Sequence, residues 1–437
     1  MTQPLKLNAR FWRYLDKVYD LSRWLARIPD SRSKPRFPAG RLLLQILVGL
    51  WTRSGSLLQM ERMGRNGELG SLWEAGRAPS NDTLARCLAS CSPAVLREPI
   101  YHSVRTARRN KVWPRGTLEG WMVATVDGSE VYATQHRRKN MAGWAVRRVR
   151  RGKAWVEEYV ERVVAVSYVG AGPRLGLEVE RIRPGEGEAE AAARAVERLD
   201  AALGPTWCDV LVMDAGYASG PFLRRVLRGQ RHVVVKVKQE NRVIVQDAEG
   251  LARGRAPDVQ RQDVKVHEEA QDRYDVAIWD EENFTTWPQV GRPLRCLKVV
   301  EVRKERRGGG WVAQEPQTYY VVTTIPKALK GPMALWRIMH RRWDIENSLF
   351  NDLTQNWAFT HCYTRSVAAL EALYLLVWMA RNLLLLFVHR NLRGSTRARW
   401  TYKEWGRLLG LGLSWPDWWR RVGWVPWEVG WGGMRGG

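Results

Sequence analysis

Residues 208–217 read Cys-Asp-Val-Leu-Val-Met-Asp-Ala-Gly-Tyr, a short apolar run that stops at an acid followed by a small residue and a glycine. A run of that length, rich in branched side chains and closed by turn formers, predicts a buried strand. Upstream, Ala189 to Leu203 is built from Ala, Glu, Arg and Leu and predicts a helix; downstream, Pro221 to Leu227 predicts another and His232 to Lys238 a second strand. Further back, Trp121 to Val126 is β-prone and also ends on an acid, Asp127-Gly128, while Val156–Val169 and Arg174–Arg183 alternate with a period of two. A strand cluster followed by helix, strand, helix and strand predicts an α/β fold with a mixed sheet.

Around this core the pattern changes. Residues 1–116 read as helices, including Arg41–Trp51 and one that starts after Pro79-Ser80-Asn81-Asp82, where three capping residues precede Leu84 and Leu88. The basic run Arg105–Lys111 ends at Pro114-Arg-Gly116, which predicts a boundary. Residues 117–238 make the first part of the core. Residues 239–326, with β-prone runs at 274–279, 296–302 and 318–324 and no helical periodicity, predict a β-rich insertion. Residues 327–393 complete the core: Gly331-Pro332 opens one long helix to about Trp357, and an apolar helix follows at 367–388. Residues 394–437 form a Trp- and Arg-rich tail. The apolar helix is long enough to span a bilayer, but Glu371, Arg381 and Asn382 interrupt it, so a buried bundle helix is expected and no membrane.

The 437 residues carry 70 Lys and Arg against 45 Asp and Glu, a net charge of +25 that points to a polyanionic partner. Hydrophobic residues make up 45%, enough for a packed core and against wholesale disorder. The five cysteines form no CxxC pair, which argues against a zinc ribbon or a disulfide framework and for a reducing, cytoplasmic setting. No P-loop, dinucleotide fingerprint or nucleophilic Ser or Cys stands out.

Three acids do. Asp127 and Asp214 each close a buried strand, where a sheet holds a side chain rigidly at its edge and α/β folds place ligands. An aspartate that merely starts a turn would look the same. The third is Glu346, at a stripe position among Trp336, Met339, Trp343, Phe350, Leu353 and Trp357, which recur at spacings of three and four. A carboxylate inside such a stripe needs a partner: an ion pair with Arg342 one turn earlier, or a cation. Three carboxylates offer hard oxygen ligands for Mg²⁺ or Mn²⁺, and two such ions roughly 4 Å apart serve phosphodiester chemistry.

Asp127-Gly, Asp214-Ala-Gly-Tyr217 and Arg341-Arg-Trp-Asp-Ile-Glu-Asn347 together resemble the DDE motifs of bacterial insertion-sequence transposases. That resemblance runs from about Trp121 to Arg393 and implies a ribonuclease-H-like core, Asp127, Asp214 and Glu346 as catalytic and metal-binding residues, and two Mg²⁺ or Mn²⁺ ions. The spacings of 87 and 132 residues between the acids leave room for the insertion that one branch carries before its glutamate. That branch has a Tyr-x2-Arg-x3-Glu-x6-Lys signature. Arg342 and Glu346 match it; Met339 and Leu353 stand where its Tyr and Lys belong. The implied partners are double-stranded DNA, as terminal repeats and target, and a second copy of the chain. The implied activity is hydrolysis and strand transfer in cut-and-paste transposition through a hairpin. A co-opted, inactive DNA-binding protein and a metal-dependent nuclease without strand transfer are the alternatives.

Expected DNA contacts are Arg342, near the acids; Lys236 and Lys238, on one side of a strand; and Arg137, Arg138 and Lys139 in a basic loop continued by Arg147–Arg151. A solvated surface is the plain alternative for each charge run. Ser80–Ala89 is a candidate recognition helix, against a bundle that serves only dimerisation. Trp279 or Trp287 is a candidate for stacking on a displaced base.

Overall fold

The computed structural model describes residues 3–69, 72–73, 77–138, 141–238, 242–307, 309–392 and 401–413. Among the described residues eleven strands form one mixed sheet: β1 (Val123–Thr134), β2 (Ala145–Arg151), β3 (Ala154–Tyr168), β4 (Gly176–Arg181), β5 (Val210–Met213), β6 (His232–Val237), β7 (Val259–Val264), β8 (Arg273–Phe284), β9 (Leu294–Arg307), β10 (Gly310–Ala313) and β11 (Gln317–Thr323). At its centre the order is β4-β3-β1-β5-β6. β3 runs antiparallel to β1 and β4, whereas β5 is parallel to β1 and β6 to β5. This is the ribonuclease-H-like arrangement. Its parallel steps need crossovers, supplied by α7 (Glu188–Leu203) and α8 (Gly220–Val226). The run 210–213 is continuously apolar because both faces of β5 are covered. Val210 and Val212 pack into one core and Leu211 and Met213 into the other, all at 0% exposure.

The β-rich segment does not stand apart from this sheet. β11 pairs antiparallel with β6, and β9, β8 and β7 follow edge to edge. The segment opens on a helix, α9 (Val243–Ala252), packed on β9 and β8, which the sequence reading left out.

Among the described residues six α-helices precede the sheet: α1 (Gln3–Tyr19), α2 (Leu21–Ala26), α3 (Ala39–Trp51), α4 (Leu57–Arg65), α5 (Asn81–Ser90) and α6 (Pro93–Arg109). Ser80 caps α5, its side chain accepting from the Thr83 N–H. After the sheet come α10 (Pro332–Arg341), α11 (Asn351–Trp357), α12 (Val367–Asn391) and α13 (Tyr402–Leu413). The apolar α12 would pass for a membrane helix by length and composition, yet 94% of its apolar window is buried inside the protein. It packs on α3, α5, α6 and β4, and the Trp51 indole N–H donates to the Ala380 carbonyl at 2.9 Å. The helices on either side of the sheet in sequence thus share one core.

The single helix expected over 332–357 is instead three pieces. α10 ends at Arg341, residues 345–350 form wide π turns, and α11 follows. Asp344 sets the break: its carboxylate accepts from the Gly170 N–H at 2.9 Å and from Arg341, tying this point to the loop after β3. The period-3.6 stripe therefore fails in its middle. Trp343, expected in the core, is 53% exposed, and the Glu346 side chain is 40% exposed rather than buried among its stripe neighbours.

Candidate active site

The acids meet where β5 ends beside β1: Asp214 follows the last residue of β5, whereas Asp127, expected to close its strand, lies within β1, which stays paired with β3 as far as Thr134. Thr125 of β1 pairs with Val212 of β5, so continuing the register two residues sets Asp127 beside Asp214. Each aspartate commits one oxygen to its own backbone: Asp127 Oδ1 accepts from the Gly128 N–H at 2.9 Å, and Asp214 Oδ1 from the Gly216 N–H at 2.6 Å. The latter bond caps the single 3₁₀ turn Ala215–Tyr217. The second oxygens are left for other work.

Glu346 reaches the same place from the π turns. Arg342 Nη1 lies 3.0 Å from Asp127 Oδ2 and 3.0 Å from Glu346 Oε1, so one buried guanidinium holds an acid from the sheet and an acid from the helix. The ion pair considered for Glu346 is therefore present, and it extends to Asp127. Burial pushes the Asp127 carboxyl up to about 7, against the pull of Arg342 and the Gly128 N–H; the charges of Asp214 and Glu346 add to the rise. Carboxyl groups perturbed by burial and by charged neighbours in this way cluster at functional sites, and structural ion-pair networks produce the same shift.

A second consequence of the fold appears beneath the acids. Tyr217 is 1% exposed, and among the described residues its hydroxyl has no hydrogen-bond partner. A buried unmet donor costs about 1–3 kcal/mol. The charges that bear on this hydroxyl are Asp127, Glu188, Asp214 and Arg342. The sequence reading quoted Tyr217 without a role and passed over Glu188.

Of the expected DNA contacts, Arg342 sits at the acids. Lys236 and Lys238 line a cavity of about 920 Å³ that also takes in Asp214 and Arg342. Lys236 lies over the Tyr319 ring at 4.2 Å, and burial lowers its pKa. The basic loop is farther away than expected. β1 continues to Thr134, so residue 135 begins roughly 25 Å along the strand from Asp127. Arg137 and Arg138 are exposed there, and Lys139 lies outside the described residues. Arg147–Arg151 is strand β2 rather than loop, and much of its charge is spent on acids. Arg147 bonds Glu130 and Glu158 at 2.6 and 2.9 Å, and Arg151 bonds Glu158 at 2.8 Å.

Met339 and Leu353, at the signature's Tyr and Lys positions, are core residues at 4% and 0% exposure and offer a phosphate nothing. Both candidate tryptophans are packed into the insertion. Trp287 is 8% exposed with the Arg242 guanidinium 4.4 Å over its ring, and Trp279 donates its N–H to the Arg255 carbonyl at 2.8 Å. On α5, Leu84, Cys87 and Leu88 face the core.

Among the described residues no three His, Cys, Asp or Glu side chains stand close enough together to hold a metal ion, and Arg342 stands between two of the acids. The donor set nevertheless suits a hard divalent cation: carboxylate oxygens carried by β1, by the end of β5 and by the π turns, with a buried phenol that lacks a partner in their electrostatic reach.

Residues 178–383, from β4 into α12, match the transposase DDE domain family. The match includes Asp214 and Glu346 and begins after Asp127. No curated protein matches the chain. Among solved structures, a piggyBac transposase synaptic complex with hairpin DNA is similar over 98% of this chain and 83% of that one, with a TM-score of 0.41 and 12% identity.

Proposed function

With a transposase's DDE domain over residues 178–383 as its premise, we propose that the chain is a DNA transposase that cuts and rejoins phosphodiester bonds at the ends of an insertion sequence. The observation that carries this reading is the convergence of Asp127 and Glu346 on one guanidinium, beside Asp214 on the neighbouring strand.

In this reading Asp127, Asp214 and Glu346 hold the divalent cations. Mg²⁺ or Mn²⁺, when bound, supplies Lewis-acid activation of a water or 3′-hydroxyl and neutralises charge on the leaving oxygen. Arg342 is the counter-ion of the acids until then, and releasing one of them frees its donors for a phosphate beside the scissile bond. Lys236, exposed Lys238 and the cavity they share with Asp214 receive the adjoining backbone. Two copies of the chain, one for each end of the element, carry out a cut-and-paste reaction.

The test is to incubate the full-length protein with duplex DNA carrying its element's ends and Mn²⁺, then map the products. Asp127→Asn, Asp214→Asn and Glu346→Gln are each expected to abolish cleavage while DNA binding survives. Nicking retained by any one variant removes that residue from the site. Binding without cleavage by the native protein points to the co-opted DNA-binding protein, and cleavage without joined products to a nuclease.

A further inference from the structure

Strands β2 and β3 continue past the end of β1 as a two-stranded ribbon. The pairing of β1 with β3 stops at Thr134 and Tyr159, whereas β2 stays paired with β3 out to Arg151 and Ala154, around a turn in which Gly152 has φ 62°. Residues opposite each other on an antiparallel pair share a face. One face carries Arg147, Arg151 and Glu158, and its arginines are held, Arg147 by Glu130 and Glu158 and Arg151 by Glu158. The other face carries Arg148, Arg150 and Trp155, with Arg150 directly opposite Trp155. All three are exposed, Trp155 at 68%. Arg148 reaches Glu157 only at 3.9 Å, and so exposed a pair holds it little.

A singly exposed apolar side chain is ordinary on a protein surface. The hairpin of β9 and β10 shows how such a residue is usually kept. There Trp311 has the Arg273 guanidinium 4.8 Å from its ring centre, and Arg303 and Arg307 are paired with Asp272 and Glu305. Among the described residues the Trp155 ring has no aromatic or cationic partner and Arg150 no ion pair. A two-fold contact between copies of this face would set arginine against arginine, so a second chain is a poor occupant. Duplex DNA fits. Two strands about 4.8 Å apart with their side chains enter a major groove about 12 Å wide but not a minor groove of about 6 Å. A phosphate has no use for an indole, whereas base edges and thymine methyl groups in that groove offer it an apolar surface.

We propose that the β2–β3 ribbon reads the element's end in the major groove, with Trp155 and Arg150 against base edges, about one helical turn from the bond that is cut. This rests on the transposase reading above. The distance follows from the register. Asp127 pairs with Ala165, and Trp155 lies ten residues earlier on the same strand, roughly 33 Å away along it. One turn of duplex is about 34–36 Å. The salt-bridged face braces the ribbon on the core while the other faces the bases.

The test compares binding of the full-length protein to a duplex of the element's own end and to a shuffled duplex of equal length and composition. Trp155→Ala and Arg150→Lys are each expected to weaken binding to the end at least about tenfold and to the shuffled duplex less than about twofold. Protection of guanine N7 from methylation, about 10 bp from the cut, should be lost in both. Both side chains are exposed, so melting temperatures should match the native protein. Variants that keep the preference and the protection overturn the proposal. Equal loss on the two duplexes overturns it too, because the ribbon would then be a phosphate clamp. Mn²⁺-dependent cleavage of the end duplex by the native protein is scored alongside. With cleavage present, either of those results removes the ribbon's reading alone; with neither cleavage nor preference, the transposase reading falls and the proposal with it.

Discussion

Arg342 is the side chain that joins two of the acids, Asp127 and Glu346. Its guanidinium is buried, and of its two partners Asp127 is the more enclosed, at 16% side-chain exposure against 40% for Glu346. Most of the interaction therefore belongs to Asp127, because the exposed half is screened by water. Arg342→Ala in EDTA is expected to lower stability by about 2 kcal/mol, since it leaves a half-buried carboxylate with its acidic neighbours and no cation. In the Asp127→Asn background the same change should cost under about 1 kcal/mol, a coupling that urea unfolding of the four proteins in the cycle measures. Additive losses would mean that the bridge carries no weight. Asp214 was legible in the sequence because a strand end is a local feature; Asp127 and Glu346 were singled out by a strand end and a helical stripe that the structure does not keep, since β1 runs on to Thr134 and Glu346 sits in π turns. The contact of Glu188 with Gly128 was not legible, because nothing in the string Gly-Glu-Gly-Glu-Ala-Glu distinguishes its glutamates, and the gap at Gly128 forms only when α7 lies over β1.

Elements show where periodicity misleads. The stripe from Trp336 to Trp357 counts correctly at both ends and wrongly at Trp343, because α10 ends at Arg341 and the chain turns there before entering the π turns that carry Glu346. Such wide turns collect at functional sites. What keeps α10 in place on the sheet is a different acid, Glu301 of β9. It is 7% exposed and accepts from the Trp336 indole at 2.7 Å, the Tyr319 hydroxyl at 2.9 Å and, with His340 as donor, the imidazole at 2.9 Å. Burial works to raise its pKa, but these partners outweigh it and hold it below the ordinary value. A depressed carboxylate contributes stability above its unfolded pKa and loses it as pH falls through the folded one. Acid unfolding of the native protein should therefore steepen below about pH 4.5. Glu301→Ala is expected to remove about 3 kcal/mol at neutral pH, because it strands buried Trp336 and Tyr319 donors, and to flatten that acid limb. Unchanged urea midpoints would refute this account of α10.

At the scale of the molecule, the boundary near residue 116 is visible in composition, but the core does not respect it. α12 is apolar all round because α3, α5 and α6 cover it from one side and β4 from another. A fragment beginning at residue 117 is therefore expected to be insoluble or to expose a dye-binding apolar surface, even though it contains every strand and all three acids. Size-exclusion chromatography of that fragment against the full chain decides it, and a monodisperse, folded fragment would sink the shared-core account. The basic run Arg147–Arg151 is likewise less available than composition suggests, since Arg147 and Arg151 are held by Glu130 and Glu158. We expect log K for duplex DNA to fall with log salt at a slope of about −6, and Arg137→Ala with Arg138→Ala to flatten it by about two units on any sequence. An unchanged slope would make that loop a solvated surface.

The sheet that joins the core to its insertion has a mechanical consequence. From β1 to β8 the strands pass through five hydrogen-bonded neighbours, β5, β6, β11, β9 and β8 in turn. Each step rotates the strand direction by about 20–25° in a fixed sense, so the far edge is turned through roughly a right angle or more from the strand that bears Asp127. No hinge interrupts the ladder along that path, because every step is backbone pairing rather than a linker. Along that path the sheet is pitched like a propeller blade, and under the proposed function a stiff duplex laid along it has to bend to follow it.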